Sequence, residues 1–151
     1  MSRRPTTLLA AGLLALGLAV GATGCSSTTA EVSVKDGPTA SAAPEVGAAL
    51  SAADFAAALK RPGTTILDVR TPAEFAEGHL PGAVNMDVED PSFQQQAATL
   101  NPSGTYAIYC RSGNRSGVAV SYLVSQGFTS VYHLDGGIQS WESSGGDVVT
   151  G

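Results

Sequence analysis

The chain has 151 residues, 43% of them hydrophobic and only 14% charged, with thirteen acidic against eight basic residues and a formal net charge of −5. That length holds one domain of ordinary size and no second comparable core. The acidic balance argues against nucleic acid as a partner, because phosphates would meet repulsion and no basic stripe.

The low charge comes from a first third rich in Ala, Gly, Ser and Thr, which marks a non-globular N-terminal region. Arg3-Arg4 precede an apolar run from Leu8 to Val20, and Gly21-Ala22-Thr23-Gly24-Cys25 follows it. A charged segment, a short apolar segment and a small-residue cleavage zone form a signal peptide over residues 1–24, too short to span a bilayer. Ala22-Thr23-Gly24-Cys25 resembles a bacterial lipobox, with Ala22 where Leu is usual. The resemblance implies an extracytoplasmic protein held to a bacterial membrane by a lipid such as palmitate on Cys25, with Sec and Tat export both open. Cleavage removes two basic residues and no acidic one, leaving six against thirteen, a net −7. Residues 25–45 are small and polar with no apolar period and are expected to be a disordered tether, about 25 Å in mean span.

The domain is expected over residues 46–145, with a tail at 146–151. Ser51 caps an Ala-rich helix that ends at Leu59-Lys60 before Arg61-Pro62-Gly63. Thr64 to Val69 reads as a buried strand, and Thr71-Pro72 opens a second helix with Glu74 in its first turn. A turn cluster, Gly78 to Gly82, leads to a strand at Ala83 to Asn85, and Pro91 to Leu100 reads as a weakly patterned helix. Tyr106 to Tyr109 is a central strand. The helix after it runs from Asn114 or Arg115 to Ser125 with Val118, Tyr122 and Leu123 inward, and Gly127 stops it. Thr129 to Leu134 is the last strand and Ile138 to Trp141 a short final helix. Strands separated by helices imply an α/β fold, a small parallel sheet with helices on both faces.

Ligands of such sheets sit beyond the carboxyl ends of the strands, which is where Cys110 stands. If Cys25 is acylated, Cys110 has no intramolecular partner for a disulfide, and a small buried core thiol is its plainest alternative role. Cys110-Arg111-Ser112-Gly113-Asn114-Arg115 places that thiol between a strand end and a helix start, around a glycine able to take left-handed geometry. Such a loop can turn several N–H groups to one point, favouring a thiolate and an anionic substrate without a metal or other cofactor. Arg111 and Arg115 add guanidinium forks suited to oxyanions.

Here the chain resembles the rhodanese family. The six residues from Cys110 to Arg115 are similar to its active-site loop. Leu67-Asp68-Val69-Arg70, Glu74-Phe75 and Gly78-His79-Leu80-Pro81-Gly82-Ala83 are similar to its upstream signature, and Leu134-Asp135-Gly136-Gly137-Ile138 with Trp141 to its closing motif. The resemblance implies a single-domain thiosulfate sulfurtransferase acting through a Cys110 persulfide, with thiosulfate or a related donor and cyanide or a thiol as acceptor. It also implies that the loop from Arg111 through Ser112, Gly113, Asn114 and Arg115 binds the substrate, with Arg111 favoured for the donor oxygens and Arg115 either sharing that task or bracing the loop.

Asp68 and Arg70 are expected to support the site by pinning loops. His79 reads as a turn residue, and with His133 it has no metal-ligand spacing. Trp141 reads as packing, Tyr109 as a strand residue, and Gly136-Gly137 as a place where backbones approach closely. Two other functions compete. Phosphatases and arsenate reductases use a longer Cys-x5-Arg cradle, whereas position 116 here is Ser, and a rhodanese-like domain can also be a non-catalytic binding or persulfide-carrier module. Oligomeric state is not readable from the chain.

Overall fold

The computed structural model describes residues 39–151. The expected signal peptide, Cys25 and the tether up to residue 38 lie outside the described residues. Among the described residues, no helix is long and apolar enough to cross a membrane.

Five strands, β1 (Ala49–Leu50), β2 (Thr64–Asp68), β3 (Val84–Asn85), β4 (Thr105–Tyr109) and β5 (Val131–Leu134), form one sheet in the order β1-β5-β4-β2-β3. Every pairing is parallel, so each return must cross a face of the sheet. The crossovers carry α1 (Ala52–Leu59), α2 (Pro72–Glu77), α3 (Phe93–Ala97) and α4 (Asn114–Ser125), and α5 (Gly137–Ser143) follows the last strand. This is the expected α/β architecture.

The period of two along β4 divides the core. Tyr106, Ile108 and Cys110 face one side, where they pack with Ala119, Val120 and Leu123 of α4 and Phe93 and Ala97 of α3. Ala107 and Tyr109 face the other, with Phe55 and Ala58 of α1 and Ile138 and Trp141 of α5. On that second side the Phe55 ring meets Tyr132 and Trp141 edge-on, at 6.1 and 6.2 Å between centroids. Both faces are covered, which is why the central strands are apolar at nearly every position.

Local signals start the helices. Ser51 Oγ accepts the Asp54 N–H at the head of α1. Thr71 and Glu74 exchange hydrogen bonds as a capping box at the head of α2, with Pro72 in its first turn.

Four details differ from the sequence reading, the first being β1, where no strand is expected. Val118 is 63% exposed, and the inward positions of α4 are Ser116, Ala119, Val120 and Leu123. Leu123 is buried and Tyr122 is partly buried against the first core cluster, as expected, so only Val118 differs. Residues 146–151 are not a free tail: His79 and Val149 form an antiparallel bridge, Trp141 Nε1 donates to Asp147 O, and Val148 packs on the second core cluster. Contact also begins before residue 46, since the Ala40 N–H donates to Ala57 O.

Candidate active site

Cys110 directly follows β4, on the α4 face, and its side chain lies beneath the first turn of α4. The residue is only 1% exposed and touches the first core cluster, but its sulfur meets polar groups. Gly113 N–H donates to Sγ at 3.1 Å. The Ser116 hydroxyl and the N–H groups of Ser116 and Ser112 also lie around the sulfur and favour its charged form. Burial pushes the thiol pKa up, but those donors, led by the Ser116 hydroxyl, more than offset it and leave it below the usual value.

Two glycine positions make this loop possible. Gly113, with φ of +96°, is the N-cap of α4 and has no side-chain cap, so its left-handed turn brings the chain from strand to helix with its amide on the sulfur. Gly137, with φ of +60°, lies against the loop from the other side, and a β-carbon there would come within 2.4 Å of Cys110 O and 2.6 Å of Arg111 O. At that contact Ile138 N–H donates to Cys110 O at 2.8 Å and Gln139 N–H to Arg111 O at 3.3 Å. A trans peptide points its carbonyl and N–H in opposite directions, so holding these carbonyls at the head of α5 turns the next amides away from it.

The arginines of the loop separate. Arg115 donates to Glu74 through Nη1 at 2.8 Å and Nη2 at 2.7 Å, and to Glu89 at 3.2 Å. Of the two roles open to Arg115, bracing the loop is the one this geometry fits: the fork holds a carboxylate and joins the first turn of α4 to that of α2. The Arg115 hydrogen bonds are the main reason the Glu74 carboxyl falls to about 2. Arg111 is exposed and, among the described residues, forms no ion pair. It lines a cleft of about 320 Å³ together with Arg70, Glu74, Gly78, Gln139 and Glu142. Ser112 and Asn114 are exposed on the rim.

Asp68 and Arg70 form a buried pair under that cleft. Arg70 Nη2 donates to Asp68 Oδ2 at 2.5 Å and to Gly78 O at 2.6 Å, which fastens the end of β2 to the turn after α2. The guanidinium carbon stands 5.6 Å from the Tyr109 ring centre. Tyr109 is fully buried, its hydroxyl oxygen accepts the Leu80 N–H, and burial raises its pKa, so it is a structural residue as expected. His79 stacks on Phe75 at 3.7 Å and its Nδ1 lies 3.0 Å from Phe75 O. Among the described residues, no group of His, Cys, Asp and Glu is arranged to hold a metal ion.

Two neighbours of the thiol escaped the sequence reading. Ser116 was noticed only as the residue that shortens the loop, and its hydroxyl reaches the sulfur. His133 was read only for metal spacing, and its Nδ1 is 3.1 Å from Ser116 Oγ. Their 17-residue separation gives no sequence signal, because it depends on β5 lying beside β4.

Fold and loop together define a small parallel α/β domain organised around a cysteine whose sulfur is held by main-chain amides. The Rhodanese-like domain family matches residues 51–144, and the chain belongs to that family. It is 39% identical over 89 residues to the thiosulfate sulfurtransferase GlpE of Pseudomonas fluorescens, covering 59% of this chain and 80% of that protein. With GlpE of Stutzerimonas stutzeri it shares 39% identity over 85 residues, 56% of this chain and 75% of the relative. The crystal structure of a rhodanese-related protein from Thermoplasma volcanium superposes with a TM-score of 0.62 at 33% identity, covering 69% of this chain and 99% of that one. The Alr3790 protein of Anabaena gives a TM-score of 0.55 at 32% identity, covering 62% and 74%.

Proposed function

We propose that this protein is a sulfurtransferase that moves a sulfane sulfur from thiosulfate, or a related anionic donor, to cyanide or a thiol through a persulfide on Cys110. The observation that carries the proposal is the Cys110 sulfur itself, which accepts the Gly113 N–H at 3.1 Å at the head of α4, and the polar groups of Ser112 and Ser116 around it favour the thiolate. The similarity to thiosulfate sulfurtransferases supports the choice of donor.

In the first step the thiolate attacks the outer sulfur of thiosulfate. A new S–S bond forms, the bond to the sulfonate sulfur breaks, and sulfite leaves with that electron pair. In the second step cyanide attacks the outer sulfur of the persulfide, thiocyanate leaves and the thiolate returns. Charge sits on sulfur at both stages, so fixed amides serve the whole cycle without rearranging. Arg111 is the guanidinium free to meet the donor's oxygens, while Arg70, held in place by buried Asp68, lines the same cleft.

A phosphatase or arsenate reductase is disfavoured, because Ser116 stands where a Cys-x5-Arg cradle has its arginine, and Arg115, one position earlier, is bound to Glu74. A non-catalytic persulfide carrier would keep the sulfur chemistry and lack turnover. Comparing cyanide-dependent thiocyanate release by the wild type and Cys110→Ser separates these: release lost on substitution supports the enzyme, and no release by either supports the carrier.

The same proposal sets the domain outside the cytoplasm, on a lipid at Cys25, supported by the sequence of residues 1–25. Mass spectrometry of the cell-produced protein tests it, and a mature N-terminus other than an acylated Cys25 would refute it.

A further inference from the structure

The Ser116 hydroxyl stands among three acceptors. It donates to Gly113 O at 3.0 Å, lies 3.1 Å from His133 Nδ1, and sits close enough to the Cys110 sulfur to help hold the thiol pKa down. A hydroxyl has one hydrogen to give, so only one of the three receives it at a time. Gly113 O always accepts, and the sulfur is an acceptor alone once it is a thiolate. The imidazole nitrogen is the one member that can change sides: bare, it competes for the hydrogen, and protonated, it donates to Ser116 Oγ.

We propose that His133 is a positioning residue for Cys110, whose Nδ1–H donates to the Ser116 hydroxyl and directs that hydroxyl's hydrogen onto the sulfur. The fold holds the ring for this task. His133 lies on β5 with its side chain on the α4 face, as Val131 does, and it pairs with Ile108 two residues before the cysteine. Its Cε1 comes against α4 at Gly117, where a β-carbon would stand 3.7 Å away. A chain of two hydrogen bonds polarises each member, so a donor at the far end strengthens the bond to a thiolate.

The groups around the ring leave it neutral near neutral pH. Burial lowers its pKa, and Asp135, just after the end of β5, opposes that shift without cancelling it. The register partners on β4 and β1 are Ile108 and Ala49, which do not titrate. On α4 the ring meets Ser116 and Gly117, and Arg115 beside them is paired with Glu74. The working form is thus the Nδ1–H tautomer, favoured whenever a thiolate rewards the chain that ends on it.

The inference rests on Cys110 as the reacting thiol, and its test reads that thiol directly. The pH dependence of iodoacetamide alkylation gives the Cys110 midpoint in the full chain, for wild type, His133→Phe, Ser116→Ala and the double variant. His133→Phe should raise the midpoint by about half a unit, roughly a threefold loss of thiolate below it, as expected for one weakened hydrogen bond. The same substitution should have no effect on the midpoint once Ser116 is Ala. His133→Asn, whose amide nitrogen can donate from about the place of Nδ1, should restore the wild-type midpoint. Should His133→Phe not fold, His133→Ala is read in the same way. An unchanged midpoint, or an equal shift with and without the Ser116 hydroxyl, would overturn the proposal, because a packing role does not need that hydroxyl. Thiocyanate release measured on the same samples keeps the two ideas apart: its absence in wild type counts against sulfur transfer, while the alkylation midpoints still decide the role of His133.

Discussion

Arg115 grips Glu74 with two hydrogen bonds, of 2.7 and 2.8 Å, across 41 residues of sequence, and so ties the loop that follows β4 to the helix that follows β2. The carboxylate has the lower pKa in the folded chain, about 2 against an ordinary 4.5. Its stabilising contribution is therefore complete above about pH 4.5 and is lost as pH falls from there toward 2. Urea unfolding at about pH 6 and about pH 3 should show Glu74→Gln losing less stability on acidification than wild type. An equal loss in both would remove the pair from the acid response.

The two loop arginines should fail in different ways. Arg111→Ala should raise the KM for thiosulfate about tenfold, the scale of one charge-assisted hydrogen bond, and leave the melting temperature unchanged. Arg115→Ala should lower the melting temperature, since it leaves Glu74 without its partner. Steady-state kinetics and thermal melts on the two variants check both statements.

Gly137 should tolerate no side chain. Gly137→Ala combines a positive φ with a β-carbon 2.4 Å from Cys110 O, so a loss of about 2 kcal/mol or more is expected, together with a displaced loop and lost turnover. Gly82→Ala is the control, because Gly82 also has a positive φ, +78°, but open space around it. It should cost about 1 kcal/mol from backbone strain and leave turnover intact. Chemical denaturation of both variants supplies the comparison.

Removing one partner of the buried pair should be severe. Asp68 is fully buried and Arg70 is 5% exposed, so Asp68→Ala leaves a guanidinium in the interior with only the Gly78 carbonyl and the Tyr109 face for company. A loss of about 3–5 kcal/mol is expected from equilibrium unfolding. A loss under 1 kcal/mol would mean that water reaches Arg70 freely.

What the sequence made legible is whatever sits at a short, fixed offset from a strand end. Cys110 after β4, Asp68 and Arg70 around the end of β2, and Gly136-Gly137 after β5 all belong to this class, and one sheet brings them to one edge. The parallel fold was legible for the same reason, since strand and helix signals alternate. Relationships across the sheet were not. The Ser116–His133 contact depends on the pairing of β4 with β5, and the Glu74–Arg115 pair on the pairing of β2 with β4. Val118 points outward because Ser116, a polar residue, takes a place on the buried face with Leu123, and apolar pattern alone does not show that. The two-residue β1 is too short to show any period, and residues 146–151 carry no pattern that announces the bridge to His79.

Mass spectrometry of the folded chain after incubation with thiosulfate is the most direct measurement of all. One added sulfur atom, located on the Cys110 peptide, removed by cyanide and absent from Cys110→Ser, is the result predicted. An unmodified Cys110 in folded protein under excess thiosulfate would contradict the persulfide on which this account stands.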